Sequence, residues 1–218
     1  MFTSVWKALV SGKSKSRLDV GGQTKKDYFD RVNYVRTVAS MRNVLTAPKQ
    51  LQANTRQEVT FRGLAFGATI RQAKRLLGRP EFRVHQELDV VGHEVLFYFS
   101  YVGSAKMTQC LHFLHGKFIM GQTIVKTPKP ARGQAIVKSV LSKYNLLPET
   151  GNVSLEDSFP ICDGANHRIE MHHVFDLTLT YITGDPEVLP MIAKVQPVEI
   201  PKGSYLRRAF QEQVLRHV

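Results

Sequence analysis

The side chains best suited to chemistry in this sequence are Cys110, His112, His115, Cys162, Asp163, His167, His172 and His173. Thiolate and imidazole donors of this kind hold zinc, and Cys110 and His112 stand two residues apart, a spacing that puts both on one face of a strand. Zinc sites recur, however, as closely spaced ligand pairs, and neither cysteine has a C-x-x-C partner. His172 and His173 are adjacent, so on a strand they point to opposite faces. The expectation is a partly buried strand residue at His173, the others at surfaces or turns, and no metal or cofactor. Gly12-Lys13-Ser14 looks like the end of a phosphate-binding loop. That motif needs a glycine at position 7, where Lys7 stands. Ser4 and Lys7 match S-x-x-K only by chance of position, and no G-x-S-x-G elbow occurs. Glu87, Asp89 and Glu94 gather around a predicted hairpin at Val91-Gly92, where carboxylates are solvated and do not face each other across a cleft. No residue set here forms a catalytic centre, and the chain reads as a non-enzyme.

Charge is the more informative pattern. Residues 1–80 hold 16 Lys/Arg against 4 Asp/Glu, whereas residues 81–218 hold 14 of each, so the whole net charge of +12 belongs to the first 80. A pI near 9.9 points to anionic partners: lipid headgroups, nucleic acid or an acidic protein face. Phe2, Val5, Trp6, Leu9 and Val10 form one helical stripe, and Lys7, Lys13, Lys15, Arg17, Lys25 and Lys26 surround and follow it. An apolar stripe with a cationic collar suits an anionic membrane surface, and equally a partner subunit or the protein's own core. A targeting peptide is a further reading of this opening, mitochondrial by its amphipathic basic character. Arg71, Lys74, Arg75 and Arg79 supply a second basic face on a predicted helix, with Arg31, Arg36 and Arg42 adding to it if the preceding helix packs nearby. Such a face grips phosphates without reading bases.

These residues need elements to position them. Residues 1–23 form an amphipathic, basic anchor and tether, and 24–57 a helix running to about Ala47, ended by Pro48, then a linker. The folded core is expected to begin near Val59. A helix from Thr69, its cap, to Gly78 and Pro80 buries Ile70, Ala73, Leu76 and Leu77. Val95, Phe97, Phe99 and Tyr101 alternate, as do Met107, Gln109, Leu111 and Phe113, and His115-Gly116 turns the chain into a strand over Phe118–Val125. A second helix presents Ile136, Val137, Val140, Leu141 and Tyr144, with Asn145 at its C-terminal cap. A loop over 146–166 precedes an alternating run, Ile169 to Tyr181, too long for one strand and expected to break near His173–Asp176. Residues 184–203 carry four prolines and are expected to run over the surface, before a helix capped by Ser204 with Leu206, Phe210 and Val214 on its face. The fold class is α+β: antiparallel sheet packed by short helices, with 58–126 and 132–183 as two tandem similar helix-plus-sheet modules and 184–218 as a Pro-rich loop and helix.

The pattern F-R-G-L-x-F-G-A-T-I-R-Q-A-K-R-L-L-G-R-P over 61–80, followed by F-Y-F-S-Y and L-H-F-L-H-G-K-F, resembles the SmpA/OmlA and beta-lactamase-inhibitor-like superfamily. The likeness covers about residues 60–125, with a looser echo at 132–183. It implies a non-catalytic module that holds other proteins through its sheet, and it carries over no catalytic residue. The opening residues read as neither the signal peptide nor the lipobox cysteine expected of that group's envelope lipoproteins.

The sequence therefore leads to a non-enzymatic interaction or scaffold protein, a cytoplasmic subunit docking through its N-terminus to an anionic membrane surface or a protein partner. A basic subunit of a nucleoprotein assembly is the alternative, and an enzyme with an unrecognised site the second alternative. Two cysteines in a chain of this size make no disulfide framework, consistent with a reducing compartment.

Overall fold

The computed structural model describes residue 44 and residues 53–85, 91–102, 104–126, 128–147, 160–173 and 175–193. Every residue of the expected anchor from Phe2 to Lys26 lies outside this set. So do the 24–47 helix apart from Val44, which is helical, the carboxylates Glu87 and Asp89, and the helix after Ser204. Among the described residues three helices pack on one eight-stranded sheet, an α+β architecture. The strands are β1 (Ala53–Asn54), β2 (Phe82–His85), β3 (His93–Val102), β4 (Ala105–Leu114), β5 (Lys117–Val125), β6 (Ile161–Cys162), β7 (Arg168–His173) and β8 (Leu177–Ile182). The helices are α1 (Ile70–Leu77), α2 (Pro130–Lys143) and α3 (Val188–Ala193).

The sheet order is β1-β6-β7-β8-β5-β4-β3-β2, antiparallel throughout except for the β1–β6 pair. The meander β2–β5 follows α1, and the meander β6–β8 follows α2. They meet through their last strands, with Met120 opposite Ile182 and Val125 opposite Leu177. The break expected near His173–Asp176 is the β7–β8 turn. His115 and Gly116 both have positive φ (47° and 78°), the backbone of a two-residue turn whose twist matches its flanking strands.

One face of the sheet carries the main core. Leu96, Tyr98, Met107, Leu111, Phe113, Phe118, Leu177, Leu179 and Tyr181 lie under Ala73 of α1 and Val137, Val140, Leu141 and Tyr144 of α2. At its centre Phe61 sits on Gly121, where a Cβ would come within 2.5 Å of the ring, and meets Tyr181 edge-on at 5.1 Å. Glycine is required there because the aromatic ring occupies the space of a side chain. The opposite face carries Val95, Phe97, Cys110 and Ile124 in one buried group. Leu114, Ile119, Met120 and Ile182 form another, with Val188 and Ile192 of α3 and Val44 packed against it. The Arg168 guanidinium donates to the Val44 carbonyl, fixing that residue against β7.

Several expectations need correcting. The linker over 48–57 contributes β1, and the 146–166 loop contributes β6; each is two residues long, too short to show alternation. The ordered core thus starts before Val59. Within 184–203, the described residues 184–193 do not simply run over the surface. Val188 and Ile192, four apart, face inward on α3, and Pro190 falls in its first turn, where its missing N–H costs no hydrogen bond. Leu76, expected in the α1 stripe, is 52% exposed. Ala73 is the fully buried residue of α1, with Ile70 and Leu77 half-buried against the core.

Candidate functional site

Helix α1 starts with reciprocal capping. The Thr69 hydroxyl accepts from the Gln72 N–H, and the Gln72 side-chain oxygen accepts from the Thr69 N–H at 2.7 Å. Gly78 ends the helix at φ 87°, its N–H bonded to the Lys74 carbonyl, and the Tyr98 hydroxyl donates to the Gly78 carbonyl. These bonds pin both ends of α1 and hold its outer side in a fixed orientation. That side exposes Arg71, Lys74 and Arg75, with Arg79 just beyond the helix. None of the four has an ion-pair partner among the described residues. The helix dipole acts on them unequally: Lys74 and Arg75 stand in the last turn, where its negative end favours cations. Arg71 stands in the first turn, at the positive end of the helix dipole, and Arg71 and Arg75 are like charges four residues apart. Each of the latter two effects costs a few tenths of a kcal/mol, on the order of 0.3.

Beside α1 lies an open cleft of about 480 Å³ lined by Lys74, Arg79, Pro80, Glu81, Phe82 and Arg83. Arg83 enters from β2, and Glu94 on β3 fixes its guanidinium through contacts of 2.5 Å from Nε and Nη2. Sequence reasoning placed Arg71, Lys74, Arg75 and Arg79 on one helix. It missed Arg83, which joins the group because the chain turns at Pro80 and returns along β3.

The remaining candidates are dispersed. No group of three or more metal-binding side chains forms among the described residues. Asp163 is committed to structure: one oxygen accepts the N–H groups of Ala165 and His167, the other that of Val59 at 2.8 Å. His167 accepts the Gly184 N–H through Nδ1 and packs on Phe66. Cys162 is buried on β6, His115 sits in the β4–β5 turn, and His172 and His173 alternate along β7 as expected. Cys110 and His112 do share a face, the one opposite α1 and α2. His112, expected at a surface or turn, is fully buried instead.

Its neighbour is a residue the sequence did not single out. His93 Nε2 and His112 Nδ1 lie 3.1 Å apart, the rings nearly parallel. Desolvation by burial pushes His93 down to about 4; for His112 burial, then the His93 charge, push it well below the usual range, although Gln122 opposes this. Both rings are therefore neutral at physiological pH. The His93 Nδ1 has no hydrogen-bond partner among the described residues. A second polar pair lies on the helix-covered face, where Arg62, from the segment before α1, donates to Gln109 of β4; burial lowers the Arg62 pKa and raises that of Tyr98 to about 12.

Comparison with family models, with curated proteins and with solved structures found no match to this chain. No helix among the described residues is long and apolar enough to cross a membrane.

Proposed function

We propose that the protein is a non-enzymatic adaptor that docks on an anionic membrane surface. The outer side of α1 supplies fixed charge, and the amphipathic segment over residues 1–26 supplies insertion. The observation that carries this reading is the cationic arc of Arg71, Lys74, Arg75 and Arg79. It has no acidic neighbour on the helix and no ion-pair partner among the described residues. Exposed cations with no ion-pair partner among the described residues fit a surface that meets an external anion. Exposed Leu76 lies on the same helix, an apolar side chain suited to the headgroup boundary. The helix-then-strands plan of 58–126 and 132–183, and the superfamily resemblance over 60–125, support a sheet body that holds another protein behind this surface.

The test is sedimentation of the full chain with phosphatidylserine–phosphatidylcholine vesicles. Each cation near such a surface contributes about 1 kcal/mol, so reversing two, Arg71→Glu with Arg75→Glu, weakens binding at least about 30-fold. Trp6 fluorescence shifts to the blue on binding, and Trp6→Glu abolishes the shift. Unchanged sedimentation of both variants overturns the reading. Duplex DNA binding that weakens steeply with salt and depends on the same arginines, without vesicle binding, replaces it with the nucleoprotein alternative.

A further inference from the structure

We infer that residues 34–43 of this chain dock on the sheet face opposite α1 and α2, over Val95, Phe97, Cys110 and Ile124. The inference stands apart from the membrane reading. These four side chains, on β3, β4 and β5, are buried, as is Thr108 beside them. A sheet face is buried only under a second layer. The described helices do not supply that layer here. α1 and α2 lie on the other face, and α3 packs on the neighbouring group of Leu114, Ile119, Met120 and Ile182. Phe82 and Val84, packed beside the four, belong to β2 and lie within the sheet. The cover therefore comes from another part of the chain.

Val44 says which part. It is helical, it packs on the same face against the Met120 and Ile182 group, and the Arg168 guanidinium holds its carbonyl there. The chain that runs into it is thus delivered to the edge of the uncovered group. Phe97 lies two strands across and two residues along from Met120, about 12 Å. Ten helical residues reach about 15 Å. Counting back from Val44 by three, six, seven and ten positions gives Met41, Val38, Thr37 and Tyr34, one side of a helical repeat with no charge on it. An uncharged surface suits a face whose polar members, Thr108 and Gln122, are themselves uncharged. Arg36, Arg42 and Asn43 fall away from that side. Docked so, Arg36 and Arg42 face outward on the side of the sheet opposite α1 and do not extend its cationic arc. The chain after α3 fits less well, because Pro197 and Pro201 prevent the helix from continuing across the face.

The experiment is pulsed alkylation of the full chain with iodoacetamide, with Cys110 followed by peptide mass spectrometry. Cys110 lies at the centre of the covered group, so its reaction rate reads the cover directly. Val38→Glu with Met41→Glu places two charges in the contact and should speed Cys110 alkylation at least about tenfold. Val38→Ala with Met41→Ala trims the contact without charge and should give a smaller rise while the cooperative urea transition of the sheet is retained. Arg36→Gln with Arg42→Gln, on the outward side, should leave the rate as it was. An unchanged rate in both Val38/Met41 pairs overturns the inference. Acceleration by Leu206→Glu with Phe210→Glu, and not by the Val38/Met41 pairs, also overturns it and assigns the cover to the C-terminal segment. Protection of wild-type Cys110 that is lost on dilution overturns it in favour of a second copy of the chain.

Discussion

The two faces of the sheet bury comparable strands but solve different problems. Under α1 and α2 the contacts are aromatic and aliphatic: Phe61 on Gly121, Phe66 stacked on Phe118, and Tyr144 and Tyr181 among Val137, Val140 and Leu141. The polar side chains there include Arg62, paired to Gln109, and the buried Thr123 opposite Gln109. On the other face, apolar groups at Val95 and Met120 are separated by His93, Thr108, His112, Gln122 and Thr180, all buried. An apolar face is indifferent to pH. A face holding two neutral histidines in contact is stable only while they stay neutral, so the difference teaches that one sheet can have one robust side and one acid-sensitive side.

The largest single effect should come from breaking the apolar face. Phe61→Ala leaves a cavity over Gly121 and should cost about 4 kcal/mol in denaturant unfolding, equally at neutral and mildly acidic pH. Next is the opposite face. His93 and His112 bind protons less readily folded than unfolded, so stability is full above pH 6.5. It falls as the pH drops towards about 4, where the His93 contribution is about 3 kcal/mol. His93→Gln with His112→Leu should flatten this profile; a profile unchanged by the pair would erase the contrast between faces. Asp163→Ala strips three backbone N–H groups of their acceptor and should cost about 2 kcal/mol, at the rim where β6 meets the Val59 segment. Smallest is Leu76→Ala, within about 0.5 kcal/mol, because Leu76 lies outside the core despite its place in the helical repeat.

Much of the helix-covered face was legible because its signals are local. Thr69, Gln72 and Gly78 bound α1 through their own backbone chemistry. Asn145, at φ 57°, closes α2, with Asn145 N–H on Ser142 and Leu146 N–H on Leu141, a helix stop written in two consecutive residues. His115-Gly116 specifies its hairpin in the same way. Leu76 was misplaced because helical spacing ranks positions by angle alone, whereas in the fold Ala73 is the fully buried residue of α1 and Leu76 lies on its flank beside Gly63. For the candidate site, the four α1-side cations were readable from helical spacing. Arg83 was not, since only strand pairing brings it there.

The sequence by itself determined α1, α2, the hairpins and the confinement of surplus charge to residues 1–80, because capping, turn backbone and charge depend on near neighbours. Tertiary structure alone decided that β5 and β8 join two meanders into one sheet and that β1 and β6 exist as strands at all. It also decided that His93 meets His112 and that Arg83 completes the cleft. Each of these depends on pairing between distant segments, and two residues far apart in the chain carry no mark of each other until the backbone hydrogen bonds of the sheet set their register.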